Sequence, residues 1–264
     1  MESKERKAIL LVSFGTSVAE TRKHTIDAFA ALVQRTYPHL EIRQAYTSEV
    51  ILGILKKRDG IFIDTISEAL ELLKKDGFTN IIIQPTHIIN GIENTRMLHL
   101  IHRFKNDFAK IQVGVPLLTT QEDMRQVILA IMADYPLLAA DTGVLLLGHG
   151  TDHHSNFTYP ALEYTARQMG YPHLFIGTIE GYPDVDTVIS NILSSTCRTI
   201  ILLPLLFVAG EHARNDMAGD SPDSWKSRLV SAGLTVRCVL KGLGEYPAIQ
   251  DLFLRHLMEA EGKM

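Results

Sequence analysis

Apolar and polar positions alternate along this chain in two rhythms that replace one another at fairly regular intervals. Short apolar runs at residues 8–12, 41–46, 80–84 and 111–116, and again at 143–147, 174–178, 199–203 and 235–240, have the length of buried strands. Between them, apolar residues recur at helical spacing over 21–36, 65–75, 121–133, 159–169 and 248–259. Runs that are apolar on both faces and alternate with amphipathic helices predict parallel sheets covered by helices on either side. The expected fold is therefore α/β, with two similar doubly wound parallel-sheet domains and an active-site cleft between them. The domains are assigned to 1–125 and 126–264. Their boundary is soft over 121–142, because the helix at 121–133 can pack on either half.

The two halves echo one another in sequence as well as in pattern. Leu10-Leu11-Val12-Ser13-Phe14-Gly15-Thr16 returns as Leu145-Leu146-Leu147-Gly148-His149-Gly150-Thr151. Ile81-Ile82-Ile83-Gln84-Pro85 with Gly91-Ile92-Glu93 returns as Ile200-Ile201-Leu202-Leu203-Pro204 with Gly210-Glu211-His212. A repeat longer than a hundred residues exceeds any solenoid unit and fits a duplicated domain.

Composition narrows the classes. Hydrophobic residues make up 46% of the chain, ample for two cores. The formal net charge of −4 lacks the basic signature that nucleic-acid binding needs. No apolar run approaches the roughly 20 residues that span a bilayer, and the charged start Met1-Glu2-Ser3-Lys4-Glu5-Arg6-Lys7 leads into a strand rather than a cleavable signal. Cys197 and Cys238 stand apart, with no CxxC pair to suggest zinc or redox chemistry. A soluble cytoplasmic protein is expected, with no nucleic-acid or membrane partner; homo-oligomerisation stays open.

Parallel sheets gather ligands at the carboxyl ends of their strands. His149 lies just past the first strand of the second half, Glu180 just past the second, and His212 shortly after the strand ending at Leu203. The corresponding first-half positions are Phe14, Ser48 and Glu93, so the second half alone carries a His/Glu/His set. Two imidazoles and one carboxylate suit a borderline divalent ion such as Co²⁺, Fe²⁺, Ni²⁺ or Zn²⁺ and leave coordination positions open. Taken one at a time, each histidine reads more readily as a satisfied, hydrogen-bonded polar residue than as a ligand.

Four segments in order carry a family resemblance: Ser13-Phe14-Gly15-Thr16-Ser17, His87-Ile88-Ile89-Asn90-Gly91, Gly148-His149-Gly150 with His153-His154, and Ala209-Gly210-Glu211-His212-Ala213-Arg214-Asn215-Asp216-Met217 with Asp223-Ser224-Trp225-Lys226. Together they resemble the anaerobic sirohydrochlorin cobaltochelatases, the class II chelatases of CbiK type, along essentially the whole chain. The resemblance implies insertion of Co²⁺ into sirohydrochlorin, or precorrin-2, during cobalamin synthesis. It implies a metal held by His149, Glu180 and His212, faced by an acidic residue that falls on Glu93. The position before His212 is often aspartate in the family and is Glu211 here, and Arg214 stands where an apolar residue is also found.

Insertion requires that the ion shed water, that two pyrrole protons leave and that the macrocycle ruffle. Neutral imidazoles bind the ion with modest affinity and can release it. Glu93 is the candidate proton acceptor, with His149 as rival; the alternative reading makes Glu93 an ordinary first-turn glutamate at a helix start. The substrate's carboxylates would be met by the loop Ser13, Gly15, Thr16 and Ser17 ahead of a helix, and by Arg214, which reads equally well as a solvated surface arginine. Lys56, Lys57 and Arg58 read as a solvated helix end with a smaller claim on substrate. His87 fits a hydrogen-bonded core residue, and His153 and His154 fit either a proton or metal relay or a helix cap. His24, His39, His99, His102, His173 and His256 read as surface residues, and Trp225 as packing.

No nucleotide is expected. The GxGxxG fingerprint fails because His153 replaces its third glycine, and no GxxxxGK[ST] loop exists. The rival functions are a chelatase for Fe²⁺ or Ni²⁺ with a related tetrapyrrole, a tetrapyrrole or metal carrier that does not insert, and a metallohydrolase.

Overall fold

The computed structural model describes residues 5–262. Among the described residues, nine strands form two sheets. The first contains β1 (Lys7–Ser13), β2 (Glu41–Tyr46), β3 (Asp64–Thr65), β4 (Asn80–Pro85) and β5 (Lys110–Val113) in the order β3-β2-β1-β4-β5. The second contains β6 (Thr142–Gly148), β7 (Leu174–Thr178), β8 (Thr199–Pro204) and β9 (Thr235–Cys238) in the order β7-β6-β8-β9. Every pairing is parallel. The shared order β2-β1-β4-β5 and β7-β6-β8-β9 is the duplication seen in the sequence. Only β3, two residues long, has no counterpart among the described residues of the second sheet.

The chain divides into two units. One runs to Leu117 and resumes at Gln250; the other is Leu118–Ile249. The C-terminal helix Pro247–Glu261 thus belongs mostly with the first unit, which corrects the expected assignment of 126–264 to a second domain. Its Phe253 packs on Phe29 with ring centroids 5.8 Å apart. Its Glu261 accepts from Tyr37 Oη at 3.0 Å and pairs with Lys7 Nζ at 3.0 Å. Periodicity shows that a helix has an apolar face; it does not show which sheet that face will cover.

In the second unit, Leu145 and Leu147 of β6 and Phe175 of β7 pack with Val188, Ile192, Trp225 and Leu229 from the flanking helices. Trp225 lies directly over Gly177, where a Cβ would come within 2.4 Å of the indole, so the tryptophan fills the space that the missing side chain leaves. The first unit repeats this arrangement with Leu10, Val12, Ile81 and Ile83 against Leu70, Leu73 and Met97.

Helix starts follow side-chain caps. Thr65 and Glu68 form a capping box for Ile66–Lys75, and Thr120 and Asp123 form another for Gln121–Met132. Asp184 and Ser224 cap Val185–Leu193 and Trp225–Ser231. Each cap satisfies N–H groups that a helix leaves unpaired, worth about 1 kcal/mol. No helix among the described residues is long and apolar enough to cross a membrane.

Candidate active site

The neighbourhood of His149 and Glu180 is built by strand register. β6 and β7 pair Gly148 with Thr178, and the pairing continues beyond both strands. Ile179 N donates to Gly148 O at 3.0 Å, and Glu180 N donates to His149 O at 2.7 Å. The two side chains are therefore neighbours by backbone geometry, with His149 Nδ1 3.8 Å from Glu180 Oε2. Gly150 permits the turn: its φ is +84°, and a Cβ there would stand 2.8 Å from the Glu180 carbonyl carbon. Gly148 makes room for Tyr159, whose hydroxyl accepts from Gly150 N at 3.3 Å. Burial pushes the Tyr159 phenol up to about 12, so it stays protonated.

The first unit repeats this corner. Thr47 N donates to Ser13 O at 2.9 Å and Ser48 N to Phe14 O at 3.2 Å, with Gly15 at φ +102°. Phe14 and Ser48 thus stand where His149 and Glu180 stand in the second unit. Phe14 projects into solvent, 44% exposed.

His212 follows β8 and enters a π-helical turn, Ala213–Met217, whose ends Ala213 and Met217 are buried. Its ring meets that of His149 edge to face, with centroids 4.8 Å apart and planes at 88°. Its Nδ1 lies 2.7 Å from Asp216 Oδ2. His149 Nδ1 lies 3.1 Å from Gly150 O. The three side chains of the expected set therefore share one solvent-facing corner, linked through His149. They do not form a closed cage: among the described residues no group of three or more His, Cys, Asp or Glu side chains is poised as a metal site.

A family model described as "Cobalt chelatase (CbiK)" matches residues 7–261. The chain belongs to the CbiK cobalt chelatase family. A sirohydrochlorin cobaltochelatase of Salmonella typhimurium is 38% identical over 255 residues, covering 97% of this chain and 96% of that protein. The sirohydrochlorin cobaltochelatase CbiKC of Nitratidesulfovibrio vulgaris is 33% identical over 261 residues, covering 97% and 90%. Among solved structures, SirB from Bacillus subtilis with Fe³⁺ aligns at a TM-score of 0.65 and 17% identity over 98% of each chain, a likeness of fold.

In this CbiK-family chain the other expected site residues fare unevenly. Glu93 sits in the first turn of the helix Ile92–His102 and accepts from Arg96 Nη1 at 3.0 Å, an exposed i,i+3 pair. Arg214 is exposed on the π-helical turn. The loop Ser13, Gly15, Thr16 and Ser17 is buried at all four residues. Thr86 Oγ1 donates to Ser13 Oγ at 2.9 Å, and Thr16 Oγ1 accepts from Val18 N at 3.2 Å. These hydroxyls bond within their own unit.

Arg58 pairs with Asp59 at 2.8 Å and donates to Ser17 O, which agrees with a structural helix end. His87 is buried, with Nδ1 3.4 Å from Asn94 Oδ1, and desolvation holds its pKa below the usual histidine range. His153 Nδ1 accepts from Ser155 N at 3.2 Å, the capping role; its ring lies 3.9 Å from that of His154 rather than diverging. His256, expected at the surface, is buried against Phe253. Asp216 was not singled out by sequence reasoning. Its signal is the four-residue spacing from His212, which places both on one helical face.

Proposed function

We propose that this chain inserts Co²⁺ into sirohydrochlorin without ATP, with His149, Glu180 and His212 receiving the ion and Glu93 accepting pyrrole protons. Family membership supports the reaction. The observation that carries the site is the edge-to-face meeting of His149 and His212 beside Glu180, at the carboxyl ends of adjacent parallel strands.

The metal is a substrate here, so the site has to take it and give it up. Two neutral imidazoles and one carboxylate replace part of the ion's water shell while leaving positions for the macrocycle nitrogens. The side chains of His149, Glu180 and His212 are 41%, 62% and 42% exposed, which leaves the corner open to an incoming ion and to exchange. A thiolate site would hold the ion too tightly for transfer, and Cys197 and Cys238 lie in β-sheet packing of the second unit.

Each Co²⁺ that enters the ring displaces two N–H protons, with no change of oxidation state. A carboxylate on a first helical turn can take a proton and pass it to water, and Glu93 is that group; His149 is its rival for the second proton. In this reading the protein acts in the cytoplasm, and Fe²⁺, Ni²⁺ or Zn²⁺ would compete for the same donors.

The test is to mix the protein with sirohydrochlorin and Co²⁺ and follow the absorption band of the macrocycle. The proposal expects insertion well above the spontaneous rate and unaffected by ATP. A rate equal to the protein-free control would mark a carrier and overturn it.

A further inference from the structure

The two histidines at the corner are held differently, and the difference points to a residue with no assigned part. His149 Nδ1 has a neutral carbonyl, that of Gly150, as its hydrogen-bond partner at 3.1 Å, with Glu180 Oε2 beyond hydrogen-bond distance at 3.8 Å. His212 Nδ1 faces a carboxylate, Asp216 Oδ2, at 2.7 Å. An ionised carboxylate only accepts, so this contact calls for a hydrogen on His212 Nδ1, and in the neutral ring the lone pair then lies on Nε2, on the far side.

The local backbone explains why Asp216 reaches. His212 precedes the π-helical turn Ala213–Met217, and the buried Ala213 and Met217 anchor that turn in the core. The four-residue spacing sets Asp216 beside His212 on the outer face. A neighbouring bond from Asn215 Nδ2 to Glu211 Oε2, 3.1 Å, braces the same turn.

We propose that Asp216 is a positioning residue that fixes the tautomer and orientation of His212, so that Nε2 is presented to the incoming ion. This rests on the reading of His212 as a metal ligand. A hydrogen-bonded carboxylate also increases the electron density of the imidazole, and loss of such a partner typically costs about 10- to 100-fold in metal affinity. Asp216 contributes a negative charge beside the ion without occupying a coordination position, so Glu180 and Asp216 together match the two positive charges of the cation.

Three variants and two readouts test this. Long-range proton–nitrogen NMR of the metal-free protein, with the His212 signal assigned from His212→Gln, reads the tautomer directly. Calorimetric titration with Co²⁺ alone reads affinity. Wild type is expected to show Nδ1 protonated and Nε2 bare. Asp216→Ala should mix the tautomers and weaken Co²⁺ by about 10- to 100-fold. Asp216→Asn should fall between, because its amide oxygen still accepts from Nδ1. The Asp216 side chain is 48% exposed, so these variants keep their fold.

Wild-type Co²⁺ affinity in Asp216→Ala, or a bare Nδ1 in the wild type, overturns the proposal. If His212→Gln binds Co²⁺ as tightly as wild type, the ligand reading fails and the proposal falls with it. If His212→Gln is impaired and Asp216→Ala is not, the positioning role alone fails.

Discussion

The imidazole of His149, at the end of β6, meets that of His212, beyond the end of the adjacent β8, edge to face with centroids 4.8 Å apart. Parallel register brings Glu180 to the same corner through the bond from its N–H to His149 O. If this corner handles the metal, its residues should be separable from those that handle protons. His212→Ala is expected to abolish Co²⁺ binding and insertion while leaving stability within about 0.5 kcal/mol, as truncation of a half-exposed side chain usually does. Glu93→Ala should slow insertion and leave Co²⁺ affinity unchanged. Calorimetry and insertion rates on both variants check this, and full activity in both would remove the assigned site.

Gly150 should resist substitution. Alanine there would have to hold a φ of +84° with its Cβ 2.8 Å from the Glu180 carbonyl carbon. The strained backbone alone costs about 1–3 kcal/mol. Gly150→Ala is expected to lower the denaturant midpoint and to weaken Co²⁺ binding together, since relieving the clash separates the backbones that set His149 beside Glu180. Unfolding by denaturant and Co²⁺ titration on one sample read both effects.

Acid should erase the contribution of one helix cap. Backbone N–H donation from Thr187 holds the Asp184 carboxyl below its ordinary value. A depressed carboxyl stabilises the fold above the unfolded pKa, about 3.9, and that contribution is lost as pH falls through the folded value. Asp184→Ala should cost about 1 kcal/mol at neutral pH. Unfolding curves at several pH values should show the gap between variant and wild type closing below pH about 4.

The buried His87 acts in the opposite sense. Burial lowers its folded pKa, so the unfolded chain takes up a proton near pH about 6.5 while the folded chain does not. The fold therefore loses stability as pH falls below that point. His87→Gln should remove this part of the acid sensitivity, visible as a flatter dependence of the unfolding midpoint between pH about 7 and about 5.

Much of this was legible in the chain because buried parallel strands leave long apolar runs. The runs at 41–46 and 174–178 coincide with β2 and β7, and the others shift by a few residues at their ends. β3 was not legible, since Asp64–Thr65 contains no apolar run. The helix at 247–261 was legible as a helix but not in its allegiance. That depends on Phe253 finding Phe29, a contact between residues far apart in sequence.

The candidate site shows the same division. Strand-end positions located His149, Glu180 and His212, because topology alone puts those ends at one edge. The partners of the loop at Ser13 were not legible, because hydroxyls beside a glycine look alike in sequence whether they turn to a ligand or, like Ser13 toward Thr86, to the next strand. Asp216 is legible only through its four-residue spacing from His212, because no pattern of apolar residues announces the π-helical turn that carries it.

The central claim is tested most directly by diffraction from crystals soaked in Co²⁺, with anomalous data collected at the cobalt edge. The account predicts one strong peak within coordination distance of His149, Glu180 and His212, with the His212 contact made through Nε2. A cobalt ion bound elsewhere, with these three side chains left uncoordinated, would contradict it.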